Sequence, residues 1–290
     1  MLTLQNIGKD YGKFTALKEL NLQFENGVYG LLAPNGAGKT TLIQMLVTLV
    51  KPTSGEILYD GKPILSMGEA YREKIGYLPQ HFGYYKHYSP RKYLRYIAAL
   101  KGIEKSVVEK RIDEVLDLVA LQEVKDKKMR KFSGGMIQRI GIAQAILAHP
   151  KVLILDEPTA GLDPKERARF RHLLSDLARD RIVLISTHIV SDIESIANEI
   201  VMIRNQTLLY KGSIPTICKS LDGMIYEVTM PFEDFSVFRK NYLTLEEKQE
   251  QGNMMVRFYS EEEPKAEWTA VTPELEDVFL VSYANESTKG

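Results

Sequence analysis

Apolar positions change period several times along the chain, and the changes mark its elements. Residues 2–7, 20–24 and 28–32 are short β-like runs, the last of them ending at a glycine-rich stretch where a helix should begin. Leu42, Leu46 and Leu49 fall at helical spacing, so residues 39–50 are predicted helical, with Lys51-Pro52 as the stop. Residues 56–59 read as a strand closed by the Asp60-Gly61 turn, and 75–78 as another. From about 88 to 148 the pattern is mostly helical, with Ile112, Val115, Leu116 and Val119 on one stripe. Alternation of strand and helix then returns: strand 152–155, helix 164–178, strand 182–186, helix 191–197, and a closing hairpin of 200–203 and 207–210. The runs VLIL and IVLI are apolar throughout, which suits parallel strands covered on both faces. After about residue 213 the pattern restarts, with strands at 225–230 and 254–259 and a helix at 232–239. A last helix after Pro273 has Leu275, Val278 and Phe279 at i, i+3 and i+4.

These elements predict an α/β domain over residues 1–217, interrupted by a helical subdomain at about 88–148, and a small α+β accessory domain over 218–290. The length of 290 residues accommodates both, and a composition of 44% hydrophobic and 26% charged residues is that of folded domains. Net charge is zero but unevenly placed. Residues 1–217 carry 31 Lys and Arg against 23 Asp and Glu, a balance of +8, and residues 218–290 carry 7 against 15, a balance of −8. The basic part suits a polyphosphate ligand, and the acidic end argues against a nucleic-acid surface running along the chain. Cys218 is the single cysteine, which excludes an internal disulfide and suits a reducing compartment. The amino-terminal residues meet glycine and charge before an apolar core of signal-peptide length develops, and no run approaches 18 apolar residues, so neither a secretory leader nor a membrane span is expected.

The chemistry begins at 33-APNGAGKTT-41, between a strand and a helix. Backbone N–H groups of Asn35, Gly36, Ala37, Gly38, Lys39, Thr40 and Thr41 would close around phosphate oxygens at the helix amino terminus. Lys39 would reach the β- and γ-phosphates and the Thr40 hydroxyl would hold magnesium. Ala33 stands where the strict pattern has glycine. At 152-VLILDEP-158 an apolar strand ends in two carboxylates, and because side chains alternate along a strand the two should serve different tasks. Asp156 is assigned to magnesium, which leaves Glu157 to orient or deprotonate the attacking water. Nucleotide hydrolysis follows from these two segments; its kind does not.

The segment 132-FSGGMIQR-139 decides the kind. By itself a Ser-Gly-Gly turn is a helix cap, but with the segments above the chain resembles the ATP-binding-cassette (ABC) ATPases, in which this signature closes over the γ-phosphate held by an opposite subunit. The resemblance implies a P-loop NTPase core with a mainly parallel sheet and an amino-terminal antiparallel β part. It implies that Ser133, Gly134 and Gly135 contact the partner's ATP, with Met136 replacing the usual glutamine. It further assigns Gln80 to the loop that senses magnesium and water, His188 to the switch that contacts the γ-phosphate, Asp163 to the loop that communicates across the dimer, and Tyr11 to the ring stacked on adenine. Taken singly, each has a plain alternative: a loop amide, a loop imidazole, a helix cap, a strand-edge aromatic. The aromatics of 81-HFGYYKHY-88 lie where the resembling transporters receive a helix of the membrane subunit. The ending 273-PELEDVFL-280 is similar to the extension of ATPases serving small exporters of drugs, antibiotics, peptides or lipids. The expectation is a cytoplasmic ATP hydrolase, peripheral on the inner face of the membrane through a separate permease, acting with a second ATPase subunit of the same or a related chain, with ATP and magnesium and without nucleic acid. The alternative is a non-transport cassette that acts as a nucleotide-gated module on DNA or ribosomes.

Overall fold

The computed structural model describes residues 1–159, 161–250 and 252–284. It divides into two compact units, Met1–Tyr210 and Lys211–Gly290. The first contains strands β1 (Leu2–Tyr11), β2 (Phe14–Phe24) and β3 (Gly27–Leu32), helix α1 (Lys39–Leu46), strands β4 (Ser54–Tyr59) and β5 (Lys62–Pro63), the short helices α2 (Ile64–Met67) and α3 (Glu69–Arg72), and β6 (Ile75–Leu78). The helical insertion follows as α4 (Pro90–Leu100), α5 (Lys105–Leu118) and α6 (Gly134–Ile146). Then come β7 (Val152–Asp156), α7 (Pro164–Leu177), β8 (Ile182–Thr187), β9 (Glu199–Arg204) and β10 (Thr207–Gly212).

Two sheets result. One has the order β2-β1-β4-β5 with antiparallel pairing, and this is the amino-terminal β part that the resemblance implies. The other has the order β10-β9-β3-β8-β7-β6, in which β9, β3, β8, β7 and β6 run parallel. The hairpin to β10 turns on Asn205 and Gln206, both at positive φ (50° and 63°), as a two-residue turn requires. Register aligns the carboxyl ends of the parallel strands: Leu32 opposite Thr187, Asp156 opposite Ser186, and Leu78 opposite Leu155. In such sheets the crevice beyond those ends is where ligands bind.

Leu42, Ile43, Met45 and Leu46 of α1 share one buried core with Leu2, Leu4, Ile7 and Leu20 of the antiparallel sheet and with Ile154, Ile182 and Val201 of the parallel one. Each such side chain contributes about 1.5–3 kcal/mol by leaving water, so the helix behind the glycine-rich stretch is fixed from two sides. Its last turn is closed by fully buried Tyr71, whose hydroxyl donates to the Leu46 carbonyl at 2.9 Å. Burial raises the pKa of that phenol well above the ordinary tyrosine value, so it stays a donor.

The expected helix at 191–197 does not form. A 3₁₀ turn at Val190–Asp192 gives way to mixed i→i−3 and i→i−4 bonds. Asn198 then ties the chain to β3, its side-chain oxygen accepting from Val28 N at 2.7 Å while its own N–H donates to the Val28 carbonyl at 2.7 Å. Seven residues held at one end by strand bonds do not repay helix nucleation.

The second unit holds α8 (Ile214–Cys218), β11 (Ile225–Pro231), α9 (Phe232–Asn241), β12 (Leu243–Glu250), β13 (Asn253–Tyr259), β14 (Thr269–Ala270) and α10 (Leu275–Tyr283), with sheet order β12-β13-β11-β14. Residues 285–290 of the expected 218–290 segment lie outside the described residues. One face of this sheet is an aromatic core of Tyr226, Phe258 and Trp268, with Phe238 and Tyr242 packed against it. The other face carries Arg257, directly across the ladder from Glu227. The Arg257 guanidinium makes two bonds to Asp277 of α10, at 2.9 and 2.7 Å, one to Glu227 at 3.2 Å and one to the Thr272 carbonyl at 2.7 Å. These partners hold its pKa above the usual arginine range, the Asp277 bonds first among them. Asp277 also accepts from Glu274 N at 2.7 Å, completing a capping box at the start of α10.

Candidate functional site

A cavity of about 150 Å³ opens at the carboxyl ends of β3, β6 and β7, lined by Phe14, Ala16, Asn35, Gly36, Gly38, Lys39, Thr40, Thr41, Gln80, Asp156 and Glu157. The glycine-rich loop and both strand-end carboxylates therefore meet, as the sequence expects, and Gln80 joins them from the loop after β6. Of residues 35–41 only Ala37 is missing from the lining; its N–H donates to the Pro34 carbonyl at 3.4 Å. Gly38 precedes α1 at φ 99°, and a Cβ there would stand 2.9 Å from the Ala16 carbonyl and 2.6 Å from Leu17, so glycine is required on two counts. Ala33 has no such demand. It is fully buried and is not among the residues with positive φ, so alanine fits in place of the glycine of the strict pattern.

Lys39 is 6% exposed, and its ammonium donates to the carbonyls of Ala33 and Pro34, the latter at 3.0 Å. Burial draws its pKa below the ordinary lysine value, while the Glu157 and Asp156 carboxylates pull the other way. A desolvated cation held inside its own loop is suited to an incoming polyphosphate. Lys39→Ala should weaken ATP binding at least tenfold, about 1.4 kcal/mol or more; equilibrium titration with a fluorescent ATP analogue checks this.

Strand alternation alone would send Asp156 and Glu157 to opposite sides. Glu157, however, adopts a left-handed conformation, φ 49°, and this turns both carboxylates into the one cavity. Their partners remain distinct. Asp156, 5% exposed, accepts from the Ser186 hydroxyl. Glu157, 6% exposed, places Oε1 2.9 Å from His188 Nδ1, and its N–H donates to the Ser186 carbonyl at 3.0 Å. His188, just past β8, leaves its ring half exposed.

The other predicted residues stand elsewhere. Tyr11 does not line the cavity. It pairs across the β1–β2 ladder with Phe14, which does, and Lys9 lies 5.0 Å from its ring. Phe14 carries no motif and was not legible in the sequence; the only signal for it was its place two residues beyond the Gly12 turn. Ser133, Gly134, Gly135 and Asp163 are also absent from the lining. The Ser133 hydroxyl caps α6, accepting from Met136 N at 3.2 Å, and Gly134 faces open space. Gly135 is buried where a Cβ would come 2.3 Å from Glu166, whose carboxylate pairs with Arg139 at 2.9 Å. Asp163 caps α7 by accepting from Glu166 N at 2.8 Å.

A family model described as ABC transporter matches residues 17–160. The chain is 39% identical over 231 residues to the uncharacterized ABC transporter ATP-binding protein YxlF of Bacillus subtilis, covering 79% of this chain and 77% of that protein. It is 41% identical over 207 residues to the bacitracin transport ATP-binding protein BcrA of Bacillus licheniformis, covering 70% and 67%. It is 36% identical to the probable sulfate/thiosulfate import ATP-binding protein CysA of Chlorella vulgaris, covering 73% and 91%. Among solved structures, an ATP-binding subunit of an ABC transporter superposes with a TM-score of 0.69 at 27% identity over 76% of this chain and 92% of that one. The dimeric cassette MJ0796 bound to ADP and Pi gives 0.66 at 25% identity over 73% and 98%.

Proposed function

The chain belongs to the ATP-binding subunits of ABC transporters, binding and hydrolysing ATP, and on that premise we propose that it powers an exporter through a separate membrane permease. The observation that carries the hydrolytic reading is the contact of His188 with Glu157, which lines one cavity together with Lys39, Thr40, Gln80 and Asp156. Glu157 is the base toward the attacking water, and His188 holds its carboxylate in place. Asp156, the Thr40 hydroxyl and the Gln80 amide oxygen are hard oxygen donors in the lining of one cavity, a set that fits magnesium. Bound there, the ion would neutralise phosphate charge.

The signature residues stand outside this cavity and Gly134 faces open space, which supports a site completed by the Ser133–Gly135 segment of a second subunit. Phe14 and Tyr11, neighbours on the β1–β2 ladder, offer aromatic faces for the adenine. Among the described residues no helix is long and apolar enough to cross a membrane; on the proposed reading a separate permease provides the membrane path and the subunit works on the inner membrane face. The exporter direction is supported by the likeness to BcrA and by the 273–280 ending; the likeness to CysA makes import the competing outcome.

The test is purification of the tagged chain in mild detergent, identification of its membrane partner, and reconstitution of the pair in vesicles with the ATPase outside. Bacitracin is the first probe. ATP-dependent accumulation of the probe in the lumen is the expected result; ATP-dependent loss from preloaded vesicles would reverse the direction.

A further inference from the structure

The buried carboxylate of Asp192 takes no part in the mechanism above. It is 3% exposed and lies in the 3₁₀ turn four residues beyond His188. Its two oxygens go to different partners. Oδ2 accepts from the hydroxyl of Thr159, itself 2% exposed, and Oδ1 lies 3.3 Å from Arg167 Nη1. Thr159 is two residues past Glu157. Arg167 stands on the first turns of α7, and its Nε–H reaches back to the Leu162 carbonyl at 3.2 Å. Leu162 N also donates to the Thr159 carbonyl at 3.1 Å. One carboxylate therefore fastens Thr159, just past Glu157, and Arg167, just past Asp163, to the segment that carries His188.

We infer that Asp192 is a positioning residue for hydrolysis, holding Glu157 and His188 in register. The inference rests on the hydrolytic reading of that pair. Glu157 and His188 are already joined upstream, through Glu157 N and the Ser186 carbonyl at 3.0 Å. Thr159–Asp192 is the matching tie downstream, so the Glu157–His188 contact is framed on both sides. Stability gives little reason for burying the Asp192 carboxylate, since its ion-pair partner Arg167 is 30% exposed and taking a charge out of water is costly. A carboxylate with two directional, charge-assisted bonds does supply fixed orientation to groups that must meet within a fraction of an ångström.

The test compares Asp192→Asn, Asp192→Ala, Thr159→Val and the Thr159→Val/Asp192→Ala double variant in the full chain. For each, kcat and KM for ATP, the dissociation constant of a fluorescent ATP analogue and the melting temperature are measured. The expected result is a fall in kcat of about tenfold for Asp192→Ala and about threefold for Thr159→Val, with nucleotide affinity within about twofold of the parent. Asp192→Asn, which still accepts from Thr159, should recover part of the loss. The double variant should be no slower than Asp192→Ala alone, because both changes break the same tie. Unchanged kcat in Thr159→Val and Asp192→Asn, additive losses, or losses that follow the fall in melting temperature would each overturn the inference. A Glu157→Gln control separates the two readings: if that variant hydrolyses ATP at the parent rate, the hydrolytic assignment fails before the positioning one is reached.

Discussion

Glu157→Gln should bind ATP as the parent does and turn it over about 10²–10⁴ times more slowly, the range expected for loss of a general base. Glutamine preserves size and leaves a carbonyl oxygen beside His188 Nδ1, so the hydrogen-bond geometry at 2.9 Å has a near substitute. What disappears is a group that takes a proton. Because Lys39, Thr40 and Asp156 are untouched, the dissociation constant should stay within about twofold. ATP that binds and is not cleaved should hold two subunits together, so size-exclusion chromatography with ATP should show a dimer that persists longer than the parent's. Phosphate release within about tenfold of the parent would remove Glu157 from the role of base and leave it a tether for His188.

The second large effect is on stability and belongs to the acidic accessory unit. Asp277→Ala strips Arg257, its side chain 10% exposed, of its two-bond partner and removes the acceptor for Glu274 N. Breaking one side of a buried ion pair costs about 3–5 kcal/mol because the remaining charge stays desolvated. Trp268 is the chain's single tryptophan and is buried in the aromatic core of this unit, so its fluorescence reports the unit by itself. The expected result is a shift of the Trp268 unfolding midpoint to lower denaturant that, multiplied by the m-value, matches that loss. Asp277→Asn should shift it less, since one bond to Arg257 can survive. An unmoved midpoint in Asp277→Ala would show that Glu227 and the Thr272 carbonyl suffice for Arg257. Read from the sequence, the 273–280 segment offers an apolar face of Leu275, Val278 and Phe279. The structure adds that Asp277, between them, is the residue that fastens the helix.

Legibility in the sequence followed the separation of interacting groups. The phosphate loop and the strand-end carboxylates are contiguous because their chemistry needs adjacent backbone groups, and both were readable. Gln80 and His188 could be placed through resemblance, each one loop beyond a readable strand. Strand β12, LTLEEKQE, could not be read, because an edge strand whose side chains are mostly exposed needs no apolar alternation. Phe14 and Asp192 were hidden for a different reason: what each does depends on a neighbour brought up by the fold, Asp192 across 33 residues to Thr159. The separate fates of Asp156 and Glu157 were expected from alternation. The left-handed dihedral at Glu157 that brings both into one cavity was not legible.

That dihedral sets durability against activity. A residue with a Cβ held in the left-handed region gives up about 1 kcal/mol that glycine would not. Glycine at position 157 would relieve that strain, but it would also lose the contact to His188 and carry more unfolded-state entropy, and it would silence the catalyst. At this one position, conformational ease and catalysis therefore favour different residues.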